Sequence, residues 1–280
     1  MPANLYALGA IALWATLAAL GVSLRHIPPF LLTGIGLLTG SLLALPFVLR
    51  DQRAWKIPAT TLALGVYGLF GFHLLLFIAL RHAPPVEANL VNYLWPLFMV
   101  VLAPLLLVGV RLRGMHVVAA LLGFAGAAVA ILGASQSAAG QGGWSWGYLP
   151  ALGSALIWAS YSLLSQRVAA FPTAAIGLFS LVSGLLSLLC HWALEPSVLL
   201  SSHDWLLLTL MGLGPLGAAF FLWDKALKGG DARQIGILSY LTPLGSTALL
   251  LLVSGRALSW SIGLAALMIM GAAVLGTRAR

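Results

Sequence analysis

A chain of 280 residues that is 61% hydrophobic and only 7% charged has too little polar surface to cover a water-soluble globule. Its net charge of +8 does not mark a nucleic-acid binder, because the basic residues stand at the ends of apolar runs. The lone Cys190 excludes an intrachain disulfide and is assigned no role.

A bilayer core about 30 Å thick needs roughly 20 apolar residues per helix. The pattern predicts ten spans, at 4–24, 29–49, 59–80, 86–108, 115–134, 146–166, 173–194, 205–227, 232–253 and 259–277, with short connections. The first apolar run has no basic stretch before it and no evident cleavage site, so it is expected to remain as a span. A cytoplasmic N-terminus places Arg50, Arg53, Lys56, Arg111, Arg113, Arg167, Lys225, Lys228, Arg233, Arg278 and Arg280 inside, and only Arg25, Arg81 and Arg256 outside. That bias predicts a multi-pass membrane protein with both termini cytoplasmic.

Along the chain, Trp14 and Thr16 fall near the middle of the first span, and His73 falls inside the third. An indole N–H at such depth needs a partner or water, so Trp14, with Trp95 and Trp158 further on, reads as cavity lining; packing between helices is the alternative. His73 can donate to a substrate carboxylate or carry a proton, against a neutral imidazole bonded to a neighbouring helix. In the fourth span Asn89, Asn92, Tyr93 and Pro96 share one helical face that Trp95 borders. These groups line a wet cavity or bond another helix. Pro96, like Pro243 in the ninth span, removes a mid-helix hydrogen bond and marks a hinge or a static kink.

Between Ser135 and Ser145 the chain is uncharged and rich in Gly, Ser and Gln, which reads as a joint. In the sixth span Trp158 and Tyr161 share a face, and the ninth carries Ser239, Tyr240 and Thr242. Trp55, Trp144, Trp146, Trp205 and Trp260 sit at span ends, where amphipathic rings belong. Glu87 suits the first turn of its helix and Asp224 can pair with Lys228 four residues on, so both acids read as structural. With no acid, Lys or Arg at mid-depth, a neutral or zwitterionic, partly aromatic solute fits better than a drug cation or a sugar phosphate. No hydrolase elbow, P-loop, zinc motif or metal cluster is present, so neither enzyme activity nor a cofactor or metal is expected.

A shift of about 145 positions brings the chain onto itself. Trp14-Ala15-Thr16 matches Trp158-Ala159-Ser160, Pro28 matches Pro172, and Tyr93-Leu94-Trp95-Pro96-Leu97 matches Tyr240-Leu241-Thr242-Pro243-Leu244. Five spans per copy is an odd number, so the copies, 1–138 and 139–280, are expected to be inverted about a central site. The expected fold is therefore all-α, ten transmembrane helices as two inverted five-helix repeats around a cavity.

Ten spans, two repeats and the Tyr-Leu-x-Pro-Leu segment in both fourth helices resemble the drug/metabolite transporter superfamily, in particular its EamA-type exporters. Asn92 to Leu97, with His73 and Trp158, is similar to the aromatic amino acid exporters of bacterial inner membranes. The resemblance implies export of aromatic and other neutral amino acids by alternating access, with substrate held by His73, Asn92, Tyr93, Trp95, Trp158, Tyr161, Tyr240 and Thr242, and with Pro96 and Pro243 as hinges. Where many members carry Gly-Glu after the fourth and ninth helices, this chain has Gly109-Val110-Arg111 and Ser254-Gly255-Arg256, so any role of that acid does not carry over. The alternatives are a carrier for another small metabolite or drug, a passive pore or a lipid flippase. The expected partners are a small solute and the lipid bilayer, without nucleic acid, and oligomeric state is not readable from uniformly apolar surfaces.

Overall fold

The computed structural model describes residues 2–134, 145–254 and 260–278, and every regular element among them is helical. The joint expected at 135–145 falls outside these residues except for Ser145, as do Trp144, Gly255, Arg256 and Arg280. In chain order the helices are α1 (Ala3–Ala15), α2 (Leu17–Ser23), α3 (Pro29–Ser41), α4 (Leu45–Arg50), α5 (Ala59–Val66), α6 (Phe72–His82), α7 (Pro85–Asn92) and α8 (Trp95–Leu106). They continue as α9 (Gly114–Ala134), α10 (Tyr148–Leu164), α11 (Ala175–Leu194), α12 (Ser202–Leu213), α13 (Ala219–Gly229), α14 (Ala232–Leu238), α15 (Leu241–Ser254) and α16 (Trp260–Arg278). Among the described residues six segments are long and apolar enough to cross a membrane: Ala3–Ser23, Pro29–Arg50, Ala59–His82, Glu87–Leu106, Ala175–Leu194 and Ser202–Gly229. Gly114–Val129, Tyr148–Leu164 and Gly263–Gly276 are shorter apolar helices.

Several of the spans expected from the sequence are interrupted, and the interruptions have local causes. Tyr67–Gly71 and Gly214–Ala218 are π-helical. Pro215 has no N–H to give, so the ladder must widen there; Gly68 in the first segment lets the Tyr161 ring press close, and Gly217 in the second lets the Gly40 backbone do so. α7 stops at Asn92 and α8 restarts at Trp95, which moves Pro96 into a first helical turn, where its missing N–H costs nothing. The same break separates α14 from α15, with Pro243 in the restart. The kinks expected at the prolines are thus displaced by about three residues toward the N-terminus.

Helix ends show how the rods alternate in direction. A side chain at Gly147, at the start of α10, would collide with His82 and Ala83 at the end of α6. At its other end, Gln166 donates to the Leu227 carbonyl near the end of α13, at 2.8 Å. One face therefore holds the ends of α6 and α11 and the starts of α3 and α10, with Phe30 bonded to Glu195. The opposite face holds the start of α1, which meets Gly230, together with the end of α13 and the start of α14. There Asp231 caps α14 and binds Arg233, which also donates to the Arg111 carbonyl at 2.5 Å. Burial opposes ionisation of Asp231, but hydrogen bonds from the Arg233 side chain and backbone outweigh it and hold the carboxyl below the usual range.

Packing pairs come in matching sets. α3 lies on α11 and α9 on α16; α1 lies on α13 as α10 lies on α6, and α1 touches α15 as α10 touches α8. Lipid tails are as apolar as leucine, so dispersion contacts and close approach must hold such pairs together. At the α3–α11 crossing, a Cβ on Gly34 would lie 3.2 Å from the Gly184 carbonyl, and one on Gly184 would lie 3.1 Å from that of Gly34. Gly40 is tighter still, with the Leu216 carbonyl 2.7 Å from its virtual Cβ. Backbone cannot yield as a side chain can. Gly40→Ala is expected to destabilise the protein by about 1–3 kcal/mol, read as a lower melting temperature in detergent. Gly21→Ala, which meets nothing within 4 Å, serves as the neutral control.

Candidate functional site: a buried cluster of aromatic rings

Where α1, α6, α8, α10 and α13 converge, their rings form one connected cluster. Trp158 of α10 is its hub, with Trp14 at 5.8 Å, Phe72 at 5.4 Å, Trp95 at 6.4 Å, Tyr161 at 5.4 Å and Phe220 at 5.6 Å between centroids. Trp223 of α13 stacks with Trp158 at 6.4 Å and touches Trp14 and Trp95 at 5.2 and 5.6 Å. His73 joins through Phe72, Phe77 and Phe220. All four indoles are buried, Trp223 to 1% exposure and Trp14, the least covered, to 8%. Edge-on and tilted pairs of this kind each contribute about 0.5–1.5 kcal/mol beyond the area they bury.

The cluster is bonded to the irregular backbone beside it. Trp14 Nε1–H donates to the carbonyl of Pro215 at 3.1 Å, inside one π segment. His73 Nδ1–H donates to the carbonyl of Leu69 at 2.6 Å, inside the other. A carbonyl can only accept, so a neutral His73 ring carries its proton on Nδ1 and presents Nε2 as an acceptor. The expected alternative of a bond to a neighbouring helix is replaced by one to its own helix. Trp223 Nε1–H donates to Ser162 Oγ at 3.1 Å. The indole N–H groups of Trp95 and Trp158 make no hydrogen bond among the described residues.

The other residues expected at the site are distributed around this cluster. Tyr161 belongs to it, and its ring fills the space a Cβ on Gly68 would take, at 2.3 Å. Asn92 is buried at the end of α7, where its Oδ1 accepts from Ser154 Oγ at 2.8 Å. Tyr93 is half-buried in the α7–α8 break. Thr242 is buried at the start of α15, and its hydroxyl has no partner among the described residues. Tyr240 lies elsewhere, packed with Ala127 and Ile269 and pressed on Gly123. Both acids read as structural are paired: Tyr148 Oη–H donates to Glu87 at 3.2 Å, and Lys228 lies 2.7 Å from Asp224. Trp223, Phe220 and Phe72 were not singled out from the sequence. Trp223 sits beside Asp224 near the predicted end of a span, but the rod runs on to Gly229 and draws it inward. A signal was available, since the repeat offset sets Phe220 against His73.

These features make the protein a membrane-spanning helical chain with a ring cluster shared by several helices, and comparison with known proteins defines the class. Residues 1–132 and 145–278 match the EamA-like transporter family, and the chain belongs to that family. It is 41% identical over 284 residues to "Aromatic amino acid exporter YddG" of Ancylobacter novellus, covering 98% of this chain and 96% of that one. It is 28% identical to the protein of the same name in Escherichia coli over 98% of this chain and 96% of that one. The "Uncharacterized inner membrane transporter YhbE" of Escherichia coli is also 28% identical, over 77% of this chain and 67% of that one. A solved crystal structure superposes with a TM-score of 0.90 at 39% identity, over 99% of this chain and 97% of that one. The chain is accordingly a multi-pass membrane protein of a transporter family.

Ser162→Ala removes the acceptor of the Trp223 indole. A loss of about 1–3 kcal/mol is expected, measured as the melting temperature followed by tryptophan fluorescence. Ser165→Ala, whose hydroxyl returns to the Ser162 carbonyl of its own helix, is expected to stay within about 0.5 kcal/mol.

Proposed function

We propose that this protein exports aromatic and other neutral amino acids from the cytoplasm across the bacterial inner membrane by alternating access. Its ten spans form two inverted five-helix repeats, 1–138 and 139–280. The observation that carries this reading is the ring cluster, to which the first half gives Trp14, Phe72, His73 and Trp95 and the second gives Trp158, Tyr161, Phe220 and Trp223. The matched packing pairs, the π segments at corresponding places and the two stretches of family similarity all support the repeat. The name of the 41% identical relative supports the substrate class and direction. The cationic face is the cytoplasmic one, since Arg111, Lys228 and Arg233 cluster with the start of α1.

An indole or phenyl side chain of the solute stacks on Trp95 and Trp158, whose N–H groups remain available to it. Nε2 of His73 accepts from the solute ammonium, because Nδ1 is already committed to Leu69; this reverses the donation to a carboxylate expected from the sequence. Asn92, Tyr93 and the Thr242 hydroxyl supply polar contacts at the edge of the rings, while Tyr240, packed against Gly123, has no part in the lining. Pro96 and Pro243 hold the first turns after two helix breaks, and those breaks are the hinges about which the repeats rock.

In proteoliposomes, Trp95→Ala and Trp158→Ala are each expected to cut tryptophan flux about tenfold, the equivalent of about 1.4 kcal/mol. Wild-type flux in both removes the ring site. Phenylalanine and threonine are expected to compete and a lipophilic cation is not; the opposite pattern makes the solute a drug. Flux that does not saturate makes the protein a pore.

A further inference from the structure

The two rods interrupted by π segments end in corresponding ways on opposite faces of the molecule. On the face where α6 ends, Arg81 donates to Glu195 Oε1 at 2.7 Å and lies 5.7 Å from the centre of the Phe30 ring. The Glu195 side chain is fully buried. It also accepts from the backbone N–H groups of Phe30 at 3.0 Å and Leu31 at 3.2 Å, and lies 3.0 Å from His191 Nδ1. One carboxylate thus ties the end of α6 to the first turn of α3 and the last turn of α11.

On the other face, where α13 ends, Lys228 donates to Asp224 at 2.7 Å and to the Phe171 carbonyl at 2.8 Å, with its ammonium 3.9 Å from the Phe171 ring centre. Asp224, 4% exposed, accepts from the Thr173 hydroxyl at 2.6 Å. The tie here runs to the segment leading into α11. Arg81 and Lys228 match under the repeat offset, so the two clusters are counterparts, each a cation over a phenylalanine and beside a buried acid. α6 lies along α10 and meets α3 sparingly, and α13 lies along α1 and meets α11 sparingly. In both places the ionic cluster is a strong link between elements that otherwise barely touch.

We propose that these clusters are the two latches of the transport cycle, Arg81–Glu195 holding the outer mouth and the Lys228–Asp224 pair of α13, through its bonds to Phe171 and Thr173, the inner one, released in turn. The physical reason for alternation lies in the buried acids. Opening the outer mouth strips buried Glu195 of Arg81, and opening the inner one takes the α13 pair away from the Thr173 hydroxyl and the Phe171 carbonyl, so opening both at once carries both penalties and a leak is suppressed. The idea rests on the proposed transport cycle, in which α6 and α13 move.

The test uses the full chain with Cys190→Ser and a reporter cysteine at Phe72, in membrane vesicles of either orientation, labelled with a membrane-impermeant maleimide. Arg81→Ala is expected to speed labelling from the extracytoplasmic side by at least about fivefold, and Lys228→Ala from the cytoplasmic side by a similar factor. Arg81→Lys and Lys228→Arg are expected to stay near the parent rate. Should an alanine variant fail to fold, Glu195→Gln and Asp224→Asn weaken the same clusters with little change of volume and are expected to shift access the same way. Unchanged labelling in folded variants, or a shift to the same side in both, overturns the latches. Labelling needs no solute, so its failure leaves the ring site standing, and failure of the ring site leaves the labelling result intact.

Discussion

A backbone N–H or C=O without a partner costs several kcal/mol in hydrocarbon, and this penalty decides where a spanning helix can be irregular. In each π segment a buried residue has its carbonyl taken by a ring N–H: Pro215 by Trp14, Leu69 by His73. The ring cluster and the helix breaks therefore depend on each other. Remove the rings and the widened backbone loses its donors; straighten the backbone and the rings lose their acceptors.

On the proposed reading, this mutual dependence puts irregular backbone and solute recognition in the same place. The breaks at Tyr93–Leu94 and Ser239–Tyr240 each lie just before a proline in the first turn of a new helix. Around this soft interior the α3–α11 crossing is close-packed, with the reciprocal approach of Gly34 and Gly184 leaving no room for a methyl group. A stiff frame around a bendable centre is what rocking repeats require.

Much of the architecture was legible because membrane helices declare themselves by length and hydropathy, and because few tryptophans belong at mid-span. Trp95 and Trp158 stood out for that reason, and the structure brings both into one cluster with Trp14. The interruptions were less visible. Pro96 announces a break but not its site, which depends on where the chain can restart with the proline in a harmless position. Trp223 was hidden because the span reading set the helix end too early, and the π segment adds residues without ending the rod. Tyr240 misled by symmetry: it matches Tyr93 in the repeat, yet Gly123 opens a slot for it against α9, which no pattern in its own helix shows. The Glu195 cluster was invisible for another reason, since its partners Phe30, Leu31 and Arg81 are more than a hundred residues away in the chain.

The central claim is that the ring cluster is where the solute rests. A structure with 5-bromotryptophan, phased on the bromine, tests it directly. Anomalous density is expected against Trp95 and Trp158, with the amino group on the His73 side. Density confined to the lipid-facing surface, in protein shown to transport the analogue, contradicts it.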